Sequence, residues 1–295
     1  MMLSIVTALY NKLELTQAFG ESLRRNPPPE PWEIVWVDDG STDGTRDWLL
    51  TLPSPRHRVL LNEQNLGFAA SNNRGVRAAA GETIALLNND LVLTPGWFTP
   101  MSESLASIER IGVVGNIQLN ASTGFVDHAG VVFDLVGMGD HHLKNRLHPP
   151  SGNGRFYHAA TAACWLVRRQ TFLDAGGFDE RYRNGCEDID LCLRLEHAGF
   201  RHWVDYRSVI RHHVSASRGR SATHDANHRL FLQTWAHLTS EWGRTDWPAH
   251  YLAKHRHQPA RLNAFKTIDA VLRLLRLKHG DSTWAAKKRQ TILAE

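Results

Sequence analysis

An α/β architecture, with a doubly wound and mostly parallel sheet, is what this 295-residue sequence implies. Between residues 3 and 88, four short apolar runs alternate with helix-like stretches, as strands joined by helical crossovers do. The runs are apolar nearly throughout rather than at every second position, which suits strands buried on both faces. Proline and glycine punctuate the boundaries. Right-handed crossovers then cover both faces of the sheet, and in such sheets ligands sit beyond the carboxyl ends of the strands.

LSIVTAL (3–9) reads as the first strand, and residues 12–25 as a helix ended by the triple proline at 27–29. EIVWVDD (33–39) is a second strand, with Gly40 and Gly44 in the turn after it and a short helix from Thr45 to Leu52 that Pro53 stops. HRVLLNE (57–63) is a third strand, Phe68 to Ala80 a helix closed by Gly81, and ETIALLN (82–88) a fourth strand. From about residue 112 the pattern changes: IGVVGNIQL (111–119) and GVVFDLVGM (130–138) are expected as strands, and 141–155 as a polar Pro/Gly-rich loop, a lid or a plain connection. Residues 159–169 read as a strand running into a helix. Residues 187–198 read as an amphipathic helix, opened by Glu187, Asp188 and Asp190 and closed by Gly199. Beyond 220 the chain is helical and rich in Trp and His.

Composition narrows the class. Apolar residues at 42% and charged residues at 22% describe an ordinary globular chain, long enough to bury a full core. Three cysteines make no disulfide framework and point to reduced thiols in a cytoplasmic setting. No apolar run approaches the roughly 18 residues of a membrane helix, and MMLSIVTALYNK lacks the basic start and cleavage site of a signal peptide. Net charge is uneven. The last 95 residues hold 17 Lys/Arg against 7 Asp/Glu, a balance of +10; the first 200 hold 17 against 23, a balance of −6. A basic tail suits an anionic partner or a solvated basic surface. No nucleic-acid readout motif accompanies it, so no nucleic-acid partner is expected.

Four constellations carry chemistry. In Asn88-Asn89-Asp90, side chains two apart in an extended segment point the same way, so Asn88 and Asp90 can offer oxygens to a hard cation such as Mg²⁺ or Mn²⁺. The same residues also suit an Asx-rich turn. VDDGSTDGT (37–45) places acidic acceptors at a strand end, and also reads as a strand–turn–helix junction with Ser41 or Asp43 as N-cap. Glu187, Asp188 and Asp190 suit the helix dipole, but three carboxylates exceed what one cap needs, which makes one a candidate general base for a hydroxyl nucleophile. In RSVIRHHVSASRGR (207–220), a His after a short strand can complete a metal site with Asp90, and Arg211, Arg218 and Arg220 can face phosphates. His141-His142 and His255/His257 lack zinc-like spacing and read as surface.

Taken together, TALYN (7–11), VDDGSTDGT, NLGFAASNNRG (65–75), LLNND (86–90), GGFDE (176–180), EDIDLCLRLEHAGF (187–200) and HHVSAS (212–217) resemble family-2 glycosyltransferases, in their bacterial rhamnosyltransferase-like branch. The resemblance covers residues 3 to about 235 in family order. It implies the GT-A fold: a doubly wound, mostly parallel, Rossmann-like sheet, here with a basic helical C-terminal extension over 236–295. Residues 1–110 then form the nucleotide-sugar half and 111–235 the acceptor and catalytic half. It implies an inverting transfer from a nucleotide-diphosphate sugar with Mn²⁺ or Mg²⁺. Residue by residue, Asp39 matches the residue that bonds the pyrimidine base, with Ala8 and Tyr10 beside it; Gly67, Asn73, Asn88 and Asn89 fall in donor-binding blocks. Asp90 and His212 match metal ligands, with an amide at Asn88 where the family pattern has a carboxylate. Asp188 matches the general base with Glu187 as its alternate, and Trp165 falls on the acceptor side.

The implied role is transfer of a hexosyl or rhamnosyl group from a UDP- or dTDP-sugar to a glycan or lipid-linked acceptor, in cell-surface polysaccharide or lipopolysaccharide assembly. A nucleotidyltransferase would carry a Gly-rich phosphate loop where this chain has TALYNKLEL. A catalytically degenerate nucleotide-sugar-binding scaffold is the alternative, and rests on Asn88. AFKTIDAVLRLLRLKHG (264–280) reads as a basic amphipathic helix, able to touch the inner face of the cytoplasmic membrane or to pack on its own domain.

Overall fold

The computed structural model describes residues 2–53, 55–213, 221–256 and 259–294. Ser217, Arg218, Arg220 and His257 of the sequence reading lie outside the described residues. The first half is β1 (Leu3–Leu9), α1 (Leu13–Arg25), β2 (Trp32–Asp38), α2 (Thr45–Leu50), β3 (His57–Leu61), α3 (Phe68–Ala78) and β4 (Thr83–Leu87). These strands are parallel, in the order β3-β2-β1-β4. The chain winds outward from β1 to β3, then returns to β4 on the other side of β1. That reversal opens a crevice beyond the carboxyl ends of β1 and β4, where ligands bind in sheets of this kind.

The second half is β5 (Leu91–Val92), α4 (Thr99–Ser107), β6 (Ile111–Asn120), β7 (Val126–His128), β8 (Val131–Phe133), β9 (Gly139–His141), β10 (Gly154–Tyr157), β11 (Cys164–Arg168), α5 (Arg169–Asp174), α6 (Glu187–His197) and β12 (Arg201–His212). The sheet continues as β4-β11-β6-β12-β10, with β11 antiparallel to both neighbours and β6 parallel to β12. β8 and β9 form a separate hairpin. Then come α7 (Ser221–His255), α8 (Ala264–Leu274) and α9 (Thr283–Ala294).

The pleat sends alternate residues into two cores. Val6, Val35, Trp165, Phe178, Leu191 and Phe231 fill one face, and Ile5, Ile34, Leu166, Phe19 and Met101 the other. α3 lies close on the sheet at Gly75, where a Cβ would sit 3.0 Å from Val37 Cγ2 and nearer still to Val6, so only glycine fits.

Three expectations are corrected. Residues 130–138 form no single strand, because Asp134 Oδ1 accepts the N–H groups of Val136, Gly137 and Met138 at 2.8–2.9 Å and folds the run into the β8–β9 hairpin. His141 and His142 are not free on the surface but half-buried and partnered: His141 Nδ1 bonds the carbonyl of Asp127 at 3.0 Å, and His142 Nδ1 meets the Tyr157 hydroxyl at 2.7 Å. One helix, α7, runs through the expected boundary at 235/236. Its Phe231 and Trp235 enter the main core, while Leu232 and Ala236 pack with α8 and α9 around Leu135 and Val136.

Candidate active site at the carboxyl ends of the strands

The turn after β1 places Asn11 and Lys12 both at positive φ, 54° and 66°. It is laced to the turn after β2: Asn11 N–H donates to Ser41 Oγ and Thr42 N–H to Asn11 Oδ1, each at 2.7 Å. Ala8 is half-buried in β1, while Tyr10 stands 49% exposed at its end. Asp43 binds the first N–H of α1 (Leu13) at 3.1 Å and that of α2 (Thr45) at 3.2 Å, so one carboxylate caps two helices.

The two carboxylates ending β2 do different work. Asp38, fully buried, pairs with Arg46 Nη2 at 2.8 Å. Asp39 accepts four hydrogen bonds at 2.8–2.9 Å, from Asn62 Nδ2, Leu66 N–H, Ser71 Oγ and Gly67 N–H. It thereby shapes the loop that opens α3. Gly67, at φ 92°, borders open space.

At the end of β4, Asn88 N–H donates to Ala163 O at 2.9 Å and its side chain is half-buried. Asn89 is half-buried and donates its amide to Thr16 Oγ1 on α1 at 2.9 Å. Asp90 is buried, and its carbonyl accepts the N–H of His213 at 2.9 Å. That bond sets the register by which His212, and not His213, faces Asp90. His212 Nε2 lies 3.3 Å from Asp90 Oδ1, an oxygen with no aligned hydrogen-bond donor, and Nδ1 lies 3.3 Å from Asp127 Oδ2. Asp127 also pairs with Lys144 Nζ at 3.1 Å.

This cluster is electrostatically tight. Burial drives His212 toward its neutral form, but the carboxylates of Asp127 and Asp90 outweigh burial and hold the imidazole up at about 9. Asp127 is buried too, yet the His212 bond and the charges of His141 and Lys144 hold it well below the usual carboxylate range. A histidine raised on folding stabilises fully below its unfolded value near 6.5 and loses that contribution as pH climbs through about 9. In chelator, the protein is expected to lose about 2–3 kcal/mol between neutral pH and pH ~9.5, a drop of roughly 5–10 °C in Tm. Asp127→Asn should flatten that fall; an unchanged slope in the variant rejects the ion pair.

The acidic first turn of α6 sorts into three roles. Asp190 is buried, held by Arg194 Nε and Trp235 Nε1, both at 2.8 Å, and so ties α6 to α7. Glu187 is buried and turns back to accept Gly185 N–H at 2.5 Å. Asp188 alone of the three is half-exposed; Oδ1 takes the N–H of Ile189 at 2.8 Å and Oδ2 that of Ala162 at 3.1 Å. Because Ala163 carries the bond to Asn88, two consecutive residues link the Asp90 side of the crevice to Asp188.

Two further expectations are corrected. Trp165 has no exposed surface: it packs on Phe178 inside the core and stacks on no acceptor. Asn73 is 3% exposed, and its amide brackets Phe178 N–H and O and Glu180 Oε1 at 2.8–2.9 Å, pinning the GGFDE turn rather than touching a donor. Asp127 was missed. A lone Asp in GFVDHAG has no local signature, and it meets His212 only because β7 pairs with β6 beside β12.

The family model for glycosyl transferase family 2 matches residues 4–172. Over 222 residues the chain is 28% identical to an N-acetylglucosaminyl-diphospho-decaprenol L-rhamnosyltransferase of Mycobacterium tuberculosis, covering 67% of this chain and 72% of the relative. Over 236 residues it is 31% identical to the O-antigen biosynthesis protein RfbC of Myxococcus xanthus, covering 77% of this chain and 18% of that one. The chain spans less than a third of the length of the first curated relatives it matches. It superposes on GalNAc-T7, solved with UDP, GalNAc and Mn²⁺, with a TM-score of 0.66 at 15% identity over 96% of this chain and 56% of that one, a likeness of fold. A family match over more than half of the sequence, on the GT-A sheet described above, means that this chain belongs to glycosyl transferase family 2.

Proposed function

We propose that this chain is an inverting glycosyltransferase. It would move a hexosyl or rhamnosyl group from a UDP- or dTDP-sugar to a glycan or lipid-linked acceptor in cell-surface polysaccharide assembly, with Mn²⁺ or Mg²⁺ bound. The observation that carries the reading is the span from Asp90 and His212, through Ala163 and Ala162, to the half-exposed Asp188. The names of the relatives support the acceptor class, and GalNAc-T7 with its Mn²⁺ supports the metal.

The residues fit a divalent ion. Asp90 Oδ1 is a buried acceptor with no aligned donor, beside an imidazole nitrogen and two residues from the half-buried amide of Asn88. Among the described residues no group of three or more His, Cys, Asp and Glu is arranged as a cage, so Asp90 and His212 would hold the ion with oxygens of the donor and water. When bound, the ion would neutralise the diphosphate leaving group.

The chain's own residues do the rest. Tyr10 offers an exposed ring at the end of β1 on which a base can stack. The Asp39 carboxylate shapes the loop at Gly67, and Oδ2, with one internal donor, keeps an acceptor position for a base N–H. Two backbone N–H groups orient the Asp188 carboxylate, leaving it free to take the proton of an acceptor hydroxyl. That oxygen attacks the anomeric carbon on the face opposite the departing diphosphate, so one bond forms as the other breaks and configuration inverts.

Calorimetric titration with UDP, dTDP, GDP and ADP, each with Mn²⁺ and then with chelator, tests the reading. Metal-dependent binding of a pyrimidine diphosphate is expected. Binding to none of the four overturns it. Binding without turnover of any UDP- or dTDP-sugar favours the scaffold reading, which the amide at Asn88 motivates.

A further inference from the structure

α8 is inside out. Its polar residues face the protein: the Asp269 and Arg273 side chains are 3% and 2% exposed, with Arg273 Nε 3.0 Å from Asp269 Oδ1. Arg273 Nη2 also bonds Ser282 Oγ at 2.9 Å, and Trp284 Nε1 bonds Asp269 Oδ2 at 3.0 Å. Its apolar residues face out: Phe265 is 80% exposed, Ile268 58% and Leu274 50%. Val271, Leu275 and Leu277 are exposed with them, so residues 265–277 hold half of the twelve exposed large hydrophobic side chains among the described residues. At the helical step, Leu274, Val271, Ile268 and Phe265 follow one another round a single half of the helix, opposite Asp269, Ala270 and Arg273. A helix whose face merely packs on its own domain shows the reverse order.

The ends of the helix are fixed. Asn263 Oδ1 caps Lys266 N–H at 3.1 Å. At the other end, Leu277 N–H donates to Leu272 O at 2.8 Å and Arg276 N–H to Arg273 O at 2.9 Å, with Arg276 at φ 58°. This is a Schellman closure with arginine where glycine is usual. It leaves Arg276 exposed at the rim of the apolar face, with no ion pair among the described residues. Residues 256–289 carry nine Lys and Arg against two Asp and no Glu.

We infer that α8 docks the protein on an anionic lipid surface, lying in the interface with Phe265, Ile268, Val271 and Leu274 among the acyl chains. An apolar stripe with a cationic rim matches a bilayer whose core is apolar and whose headgroups are negative. A second copy could also cover the apolar stripe, but its α8 offers Arg276 no anion: the one carboxylate of the helix, Asp269, is buried and paired with Arg273 and with Lys278 Nζ at 3.0 Å. No helix among the described residues is long and apolar enough to span a membrane. The inference rests on the surface of α8 and holds whether or not the chain transfers sugar.

The test is co-sedimentation of the whole chain with vesicles of phosphatidylcholine, with and without phosphatidylglycerol, alongside sedimentation velocity in buffer. The wild type is expected to pellet with the anionic vesicles and to release as salt rises. Ile268→Asp with Leu274→Asp should weaken partitioning at least about tenfold, while Arg276→Glu weakens it only on anionic vesicles. These side chains are exposed, so circular dichroism and nucleotide binding should match the wild type. Equal pelleting of wild type and double variant overturns the inference. So does failure of the wild type to bind anionic vesicles; a dimer in buffer that the double variant dissolves would then assign the face to a second copy.

Discussion

Asp188→Asn is expected to slow sugar transfer about 10³-fold or more while leaving the affinity for the nucleotide diphosphate within about twofold. The amide nearly matches the carboxylate in shape and can still accept the Ala162 N–H, but it cannot take a proton from an acceptor hydroxyl. The loss should therefore fall on kcat. Glu187→Gln makes the informative comparison, because Glu187 is buried and turned onto Gly185 N–H. Its effect should appear in stability and in the order of the 183–187 turn before it appears in chemistry. Near-full transfer by Asp188→Asn, with loss in Glu187→Gln, would move the base to Glu187.

Asp39→Asn should cost stability as well as donor binding. The Asp39 carboxylate receives four donors, and an amide presents two N–H groups where only acceptors fit. Leaving one buried donor such as Gly67 N–H unpaired costs about 1–3 kcal/mol, roughly a 3–10 °C fall in Tm for a chain of this size. Opening of the 62–71 loop should lower affinity for a pyrimidine diphosphate by tenfold or more. A variant with wild-type Tm and lost binding would show that Asp39 acts on the base alone. Normal binding in a destabilised variant would show that it only shapes the loop.

The first half of the fold was legible because β1, β2 and β4 are buried on both faces and Pro or Gly marks most of the boundaries. β1, β2, β3 and β4 begin or end within two residues of their expected limits. The second half was less so. β5, β7, β9 and β10 have two to four residues, and such short strands exist only through distant partners, as β10 does along β12. The 130–138 run looks like a strand in one dimension, yet Asp134 gathers three N–H groups and folds it back.

The candidate site divides the same way. Sequence alone placed Asp39, Asn88, Asp90, Asp188 and His212 at strand or helix ends, because side-chain period and helix caps are local properties. The local pattern left three carboxylates open and the family resemblance singled out Asp188; why Asp190 has another role shows only when Trp235 of α7 reaches it. Sequence alone could not bury Trp165, bring Asp127 to His212, or say which half of α8 turns outward. The helical period of 264–274 was written in the residues; the Asp269–Arg273 pair, closed by Ser282 and Trp284, decided the inward face. Periodicity and capping act over a few neighbours, so the chain declares them by itself. Burial, ion pairing and the facing of a helix depend on residues far along the chain, so only the tertiary structure sets them.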